Sequence, residues 1–381
     1  MTFRSKLPHT GTTIFTVMSA LAREHQAVNL SQGFPNYDPP EQLRELVSEH
    51  LAKGHNQYAP MAGLPALREV LAKKHRTTKL ALDPTSELTV TAGATQALFT
   101  AITTLVHPGD EVVLLEPAYD CYRPAVELCG GVVQAYTLKA PDYRVDWAAF
   151  AELLTERTRL IVLNTPHNPT GTIWRKADWE ALAQLLADHP TIYLLSDEVY
   201  EQLVYDNQRH YSLLDFPELF QRGFATYSFG KTFHATGWKI GYCIGPAHLM
   251  AEFRKVHQFN VFSVNTPAQH ALADYLGDSS TYMGLSTFYQ QKRDYFLAHL
   301  TQTPLRPLPC QGTYFQLVDY SAISSENDVD FARWLTTEVG VAAIPVSAFS
   351  DRPPAGERVV RLCFAKTEAV LDAAAARLRK L

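Results

Sequence analysis

Between residues 87 and 244 the chain repeats one device: a short apolar run, a turn, and an amphipathic stretch. The runs fall at residues 87–91, 111–115, 132–138, 160–163, 192–196, 224–228 and 240–244. Helical patterns occupy residues 95–106, 146–155 and 176–187, the second led by Asp146 as a candidate N-cap. Pro108-Gly109, Gly130-Gly131 and Asn168-Pro169 punctuate the connections. Strands alternating with helices predict an α/β fold, with a mostly parallel seven-stranded sheet covered by helices.

Beyond Pro246 the pattern turns helical, most clearly at residues 266–275 and 287–300. Residues 313–317, 328–339, 341–344, 358–364 and 368–381 then mix strand and helix signals, as a smaller α+β lobe would. A chain of 381 residues exceeds one ordinary domain. The expected division is a large domain over residues 41–280 and a small one from residues 1–40 and 281–381. No repeat, low-complexity tract or flexible linker separates them, so the lobes are expected to pack closely around a cleft.

Composition narrows the partners. A net charge of −5 without a long basic run gives no reason to expect nucleic acid or an anionic membrane. No segment reaches the roughly 20 apolar residues of a membrane span, and residues 1–17 lack a signal-peptide core. The five cysteines are scattered without Cys-x-x-Cys spacing, which predicts neither a disulfide framework nor a zinc site and suits the cytoplasm. The fourteen histidines show no His-Glu-x-x-His spacing, so no catalytic metal is expected.

The chemistry concentrates around Lys231, in Tyr227-Ser228-Phe229-Gly230-Lys231-Thr232. An ammonium ion is costly to bury beside an apolar strand, whereas a desolvated amine can form a Schiff base with a carbonyl compound. Gly230-Lys231-Thr232 mimics the end of a phosphate-binding P-loop. That motif needs a glycine five residues earlier, where this chain has Ala225, so nucleotide hydrolysis is rejected.

A lysine of this kind fits pyridoxal 5′-phosphate, and each further need of that cofactor has a candidate. Asp197, ending an apolar strand, suits the pyridine nitrogen; its rival reading is a helix N-cap. Tyr200 and Asn168 are placed to reach the ring hydroxyl. A strand, a glycine turn at Gly93 and a helix opening at Thr95 offer a phosphate cup, completed by Ser228 and Lys239. Tyr119 is the candidate for the ring face, or else an ordinary core tyrosine. Arg361, in the strand-like Val359-Val360-Arg361-Leu362, suits a substrate carboxylate, or else a structural salt bridge.

Ser31-Gln32-Gly33-Phe34-Pro35, Asn56-Gln57-Tyr58-Ala59-Pro60, Asn164–Gly171, Ser196–Tyr200, Lys231–Gly241 and Arg361 together resemble the class I aminotransferases of pyridoxal-phosphate fold type I. The resemblance covers nearly the whole chain. It is strongest toward the branch of bacterial methionine aminotransferases and kynurenine aminotransferase-like enzymes, to which Val256-His257-Gln258 through Phe262 belong. It implies that Lys231 is the Schiff-base lysine and general base, with Asp197 and Tyr200 beside it. Asn168 is implied at both ring and substrate, and Gly33 joins Arg361 at the carboxylate. Ala94, Thr95, Ser228 and Lys239 would hold the phosphate, while Tyr119 stacks. It further implies a homodimer with shared active sites, Tyr58 reaching the neighbour's phosphate and Phe15 and Phe262 lining the side-chain pocket. Two departures stand out: Lys239 replaces a frequent arginine, and His234 replaces a small residue.

The expected reaction is a ping-pong transfer of an amino group from methionine or an aromatic amino acid to a 2-oxo acid. The donors considered are methionine, phenylalanine, tyrosine, histidine and kynurenine. Carbon–sulfur β-elimination on a cysteine conjugate is the alternative with the same cofactor. A transcription regulator with an aminotransferase-like domain is disfavoured, because only about 40 residues precede the large lobe and they hold no basic helical pair.

Overall fold

The computed structural model describes residues 4–8, 10–77 and 80–381. Residues 1–3 and 9 of the leading segment 1–17 lie outside the described residues, so the reading of that segment is carried only in part.

All seven apolar runs are strands of one sheet: β1 (Leu88–Thr91), β2 (Glu111–Glu116), β3 (Val132–Thr137), β4 (Thr158–Asn164), β5 (Tyr193–Asp197), β6 (Gly223–Ser228) and β7 (Gly241–Ile244). Their spatial order is β1-β7-β6-β5-β4-β2-β3. Every neighbouring pair is parallel except those made by β7, which runs antiparallel to β1 and β6. Alternate residues enter opposite cores. Val113, Ile161 and Leu194 pack in one apolar cluster, whereas Val112, Leu114, Val162 and Leu195 pack in another. Two buried faces explain why six of these strands read as continuous apolar runs rather than as alternating ones; β3, at the sheet edge, is only partly buried.

Helices cover the sheet where periodicity placed them, at Ala94–Leu105 and Lys176–Ala187. Asp146 caps a helix shorter than expected, Trp147–Ala151, accepting from the backbone N–H groups of Ala148 and Ala149. A second, antiparallel sheet orders Ile344–Pro345, Val359–Cys363, Phe315–Asp319 and Arg306–Pro307. Val28–Asn29 pairs with Val341–Ala342, tying the beginning of the chain to its last third. The predicted helix 328–339 is α-helical over Asp328–Trp334, widens into a π turn over Leu335–Val339 and stops at Gly340, where φ is +79°. Among the described residues, no helix is long and apolar enough to cross a membrane.

Direction decides where chemistry gathers. Thr91, Glu116, Asn164, Asp197 and Ser228 end their strands on the same edge of the sheet, where ligands of open α/β sheets bind. Facing that edge are the loop Ser31–Phe34 and the strand Val359–Cys363.

Candidate active site

A cavity of about 290 Å³ opens at this edge. It is lined by Gly33, Ala94, Thr95, Tyr119, Asn168, Asp197, Tyr200, Ser228, Lys231, Lys239, Arg361 and Phe15, twelve of the fourteen residues singled out from sequence. Tyr58 and Phe262 lie elsewhere. They contact each other edge to face at 5.3 Å between ring centroids, and are 81% and 48% exposed.

Lys231 sits on a single helical turn, Phe229–Thr232, that follows β6 directly. Its Nζ donates to the Gly33 carbonyl at 3.2 Å and lies 5.8 Å from the ring centroids of both Tyr200 and Tyr314. Loss of hydration pushes this amine down to about 8, so much of it loses its proton just above neutrality. The Tyr314 hydroxyl donates to the same Gly33 carbonyl at 2.7 Å, which fixes the loop over the lysine.

Asp197 is buried at the end of β5. Burial raises its carboxyl to about 6 despite a hydrogen bond from the Tyr122 hydroxyl to Oδ2 at 2.6 Å and one from the Val199 N–H to Oδ1 at 3.3 Å. No helix begins after it; a turn follows, so the N-cap reading falls. Asn164 holds the neighbouring backbone. Its Nδ2 donates to the Asp197 carbonyl at 2.7 Å and its Oδ1 accepts the Asn168 N–H at 2.8 Å.

At the other end, Gly93 has φ of +80° and opens the helix Ala94–Leu105 toward the cavity. A Cβ there would come within 3.4 Å of the Lys239 Cε and Nζ, so the lysine lies directly over the helix start. Gly241 is equally constrained: its Cβ would meet the Tyr227 carbonyl oxygen at 2.4 Å and the Ala94 nitrogen at 3.0 Å. A positive dipole end, a hydroxyl pair in Thr95 and Ser228, and an ammonium converge here, a donor set for a dianion.

Arg361 is fully buried, and burial pushes its guanidinium down to about 10. Nη1 donates to Asn168 Oδ1 at 2.8 Å and Nη2 to the Ser31 carbonyl at 3.0 Å. The ring of Phe315 packs 3.9 Å from its central carbon. Among the described residues no carboxylate pairs with it, and its buried Nε has no partner. The structural salt bridge is thus excluded. Asp120 acts on it only from beyond ion-pair distance, and a buried cation without a direct carboxylate partner suits an anionic ligand.

Sequence reasoning missed Tyr122, Asn164, Tyr314 and Phe315. Asn164 stood inside a segment already quoted; the others become neighbours only through the fold. His234, left without a role, is not among the residues that line the cavity. It adopts φ of +59°, its Nδ1 lies 2.9 Å from the Tyr289 hydroxyl, and burial pushes the imidazole down to about 4.

An amine of lowered basicity, a buried acid, a dianion cradle and a guanidinium without a carboxylate partner fit a group carrying an aldehyde, a basic ring nitrogen and a phosphate, with room for an amino acid. Comparison with known proteins agrees. The profile of the family described as aminotransferase class I and II matches residues 25–378. A methionine aminotransferase of Escherichia coli is 56% identical over 380 residues, spanning 99% of this chain and 98% of that one. A kynurenine–oxoglutarate transaminase of Dictyostelium discoideum is 35% identical over 410 residues, spanning 97% and 94%. The crystal structure of Escherichia coli YbdL, reported with a methionine aminotransferase function, superposes with a TM-score of 0.97 at 55% identity over the whole of both chains. Fold, donor set and relatives converge, and the chain belongs to the class I and II aminotransferases, enzymes of fold type I that work with pyridoxal 5′-phosphate.

Proposed function

We propose that this aminotransferase takes methionine or an aromatic amino acid (phenylalanine, tyrosine, histidine or kynurenine) as donor and passes the amino group to a 2-oxo acid. The observation that carries this reading is the cavity lining: Phe15, Phe34, Leu98, Ile240 and Phe315 supply apolar wall, and among the described residues Arg361 is the one arginine that lines it. A dicarboxylic substrate needs a second cation for its side chain, whereas a thioether or aromatic ring needs apolar surface. The named activities of the relatives support the same class.

When bound, pyridoxal phosphate supplies an aldehyde for the substrate amine and a ring that draws electrons from Cα. Lys231 would hold the aldehyde carbon through its Nζ and, when free, would serve as the base for the Cα proton. Asp197 would partner the ring nitrogen and favour its protonated form. Asn168 and Tyr200 would hold the ring oxygen, and Tyr119 would pack on the ring. Ala94, Thr95, Ser228 and Lys239 would grip the phosphate. Arg361 and the Gly33 backbone orient the substrate carboxylate, with Phe15 against the side chain.

In this reading the unit is a homodimer. Tyr58 and Phe262 serve the other copy's site, Tyr58 at the phosphate and Phe262 at the side chain, which accounts for an exposed aromatic pair. Residues 41–280 form the large domain; residues 1–40 and 281–381 form the small one. Five free cysteines are consistent with a cytoplasmic enzyme. Absorbance titration of the holoenzyme with a panel of amino acids tests the donor class. Conversion of the cofactor band is expected with methionine and aromatic donors; conversion by aspartate or glutamate alone overturns the reading.

A further inference from the structure

Away from the active site, three histidines meet where two helices cross. Glu41–Ala52 ends in a left-handed turn: Gly54 has φ of +87°, its N–H donates to the Leu51 carbonyl at 3.2 Å, and the His55 N–H donates to the His50 carbonyl at 3.2 Å. This pair of bonds is the Schellman motif, and it folds His55 back over His50. The neighbouring helix Thr266–Tyr275 presents His270 and Asp274, four residues apart and therefore on one face. The result is a stack of imidazoles, with ring centroids 3.9 Å apart for His55–His270, 5.0 Å for His50–His55 and 5.1 Å for His50–His270. One ligand nitrogen from each lies within 4.8 Å of the others.

We infer that His50, His55 and His270 bind one divalent transition-metal ion of the zinc, nickel and copper group, clamping the helix Glu41–Ala52 to the helix Thr266–Tyr275. Imidazole is the ligand these ions share. Asp274 Oδ2 lies 2.9 Å from His50 Nε2 and accepts its proton, which leaves the lone pair on Nδ1. That carboxylate–histidine pairing is the usual outer support of a metal-bound imidazole. The freed His50 Nδ1 faces His55 Nδ1 at 2.9 Å. Two nitrogens bound cis at roughly 2.0–2.1 Å stand about 2.9 Å apart for a right-angled site and about 3.3 Å for a tetrahedral one, so the His50–His55 pair already has a ligand spacing; the spacing of up to 4.8 Å across the trio closes when the stacked rings turn about their side-chain torsions.

His55 shifts its proton to Nε2 through solvent, and no net charge is displaced. His50 is buried while His55 and His270 are half-buried, so the position is enclosed on one side and reachable from the other.

The test is calorimetric titration of the holoenzyme, stripped with chelator, using Ni²⁺ and Zn²⁺ alone in amino-acid-free buffer. Saturation at one ion per chain is expected. His55→Ala and His270→Ala should weaken it by roughly a hundredfold or more, and Asp274→Asn by about tenfold to a hundredfold. The cofactor absorbance band of each variant should stay unchanged. Anomalous diffraction from metal-soaked wild-type crystals checks the same claim without any substitution, and its peak should lie among the three rings. Binding that is unsaturable, binding that survives both alanine variants, or a peak elsewhere overturns the site.

Discussion

The Tyr122 hydroxyl donates to Oδ2 of Asp197 at 2.6 Å across 75 residues of sequence, from the helix Tyr122–Leu128 to the end of β5. It favours the ionised carboxylate, yet burial dominates and the group stands at about 6 rather than 3.8. In cofactor-free protein the folded state therefore binds this proton more tightly than the unfolded chain does. The associated stability is full below about pH 4 and falls as pH rises through 6, by on the order of 3 kcal/mol. Asp197→Asn should remove that slope from the melting midpoint between pH 4 and 7. Tyr122→Phe should move it about one to two units higher, since a charge-assisted bond is worth about 1.5–3 kcal/mol. Identical pH profiles for wild type and Tyr122→Phe would contradict the assignment.

Lys231 loses its proton near pH 8 because the pocket withholds water. Acylation of cofactor-free protein, read by peptide mass spectrometry, should reach half its limiting rate at that position near pH 8, well before surface lysines. Lys231→Ala should lower turnover by at least about 10²–10⁴-fold, the range for losing a positioned base, with the fold intact by circular dichroism. Retained turnover, or half-reaction near pH 10.5, would count against it.

Arg361→Lys keeps the charge but cannot reach Asn168 and the Ser31 carbonyl together while presenting a paired face to substrate. KM for the amino donor should rise by about tenfold to a hundredfold, matching one lost charge-assisted bond. The corresponding amine lacking the carboxylate should be handled alike by both enzymes. Equal KM values for the amino acid would remove Arg361 from the binding site.

Gly93→Ala puts a side chain at φ of +80° and 3.4 Å from Lys239 Nζ. With ψ of 168° this backbone is essentially reserved for glycine and costs about 1–3 kcal/mol with a side chain; relieving that strain turns the helix-start N–H groups off the phosphate, so cofactor affinity by equilibrium dialysis should fall by about tenfold. Affinity unchanged in this variant would show that the glycine turn does not contact phosphate.

The central sheet was readable because its strands are apolar on both faces, a pattern short amphipathic segments do not imitate. Lys231 and Arg361 were readable for the opposite reason, being charges in apolar company. Phe315 was not. It becomes the platform for Arg361 because Leu317 pairs with Arg361 in the antiparallel register, placing Phe315 two residues along on the same face. Tyr122 and Tyr314 were hidden likewise: each is one tyrosine of eighteen until topology supplies its partner. The helix 328–339 was found, but its π turn depends on how its end packs, which periodicity does not encode.

Arg361 binds a carbonyl from position 31 and an amide from position 168, so its anchorage joins the opening, middle and close of the polypeptide. A chain cut before Val359 loses that three-way tie together with the strand that lies between Phe315–Asp319 and Ile344–Pro345, so the loop at Ser31 and the turn at Asn168 part company at a single cut.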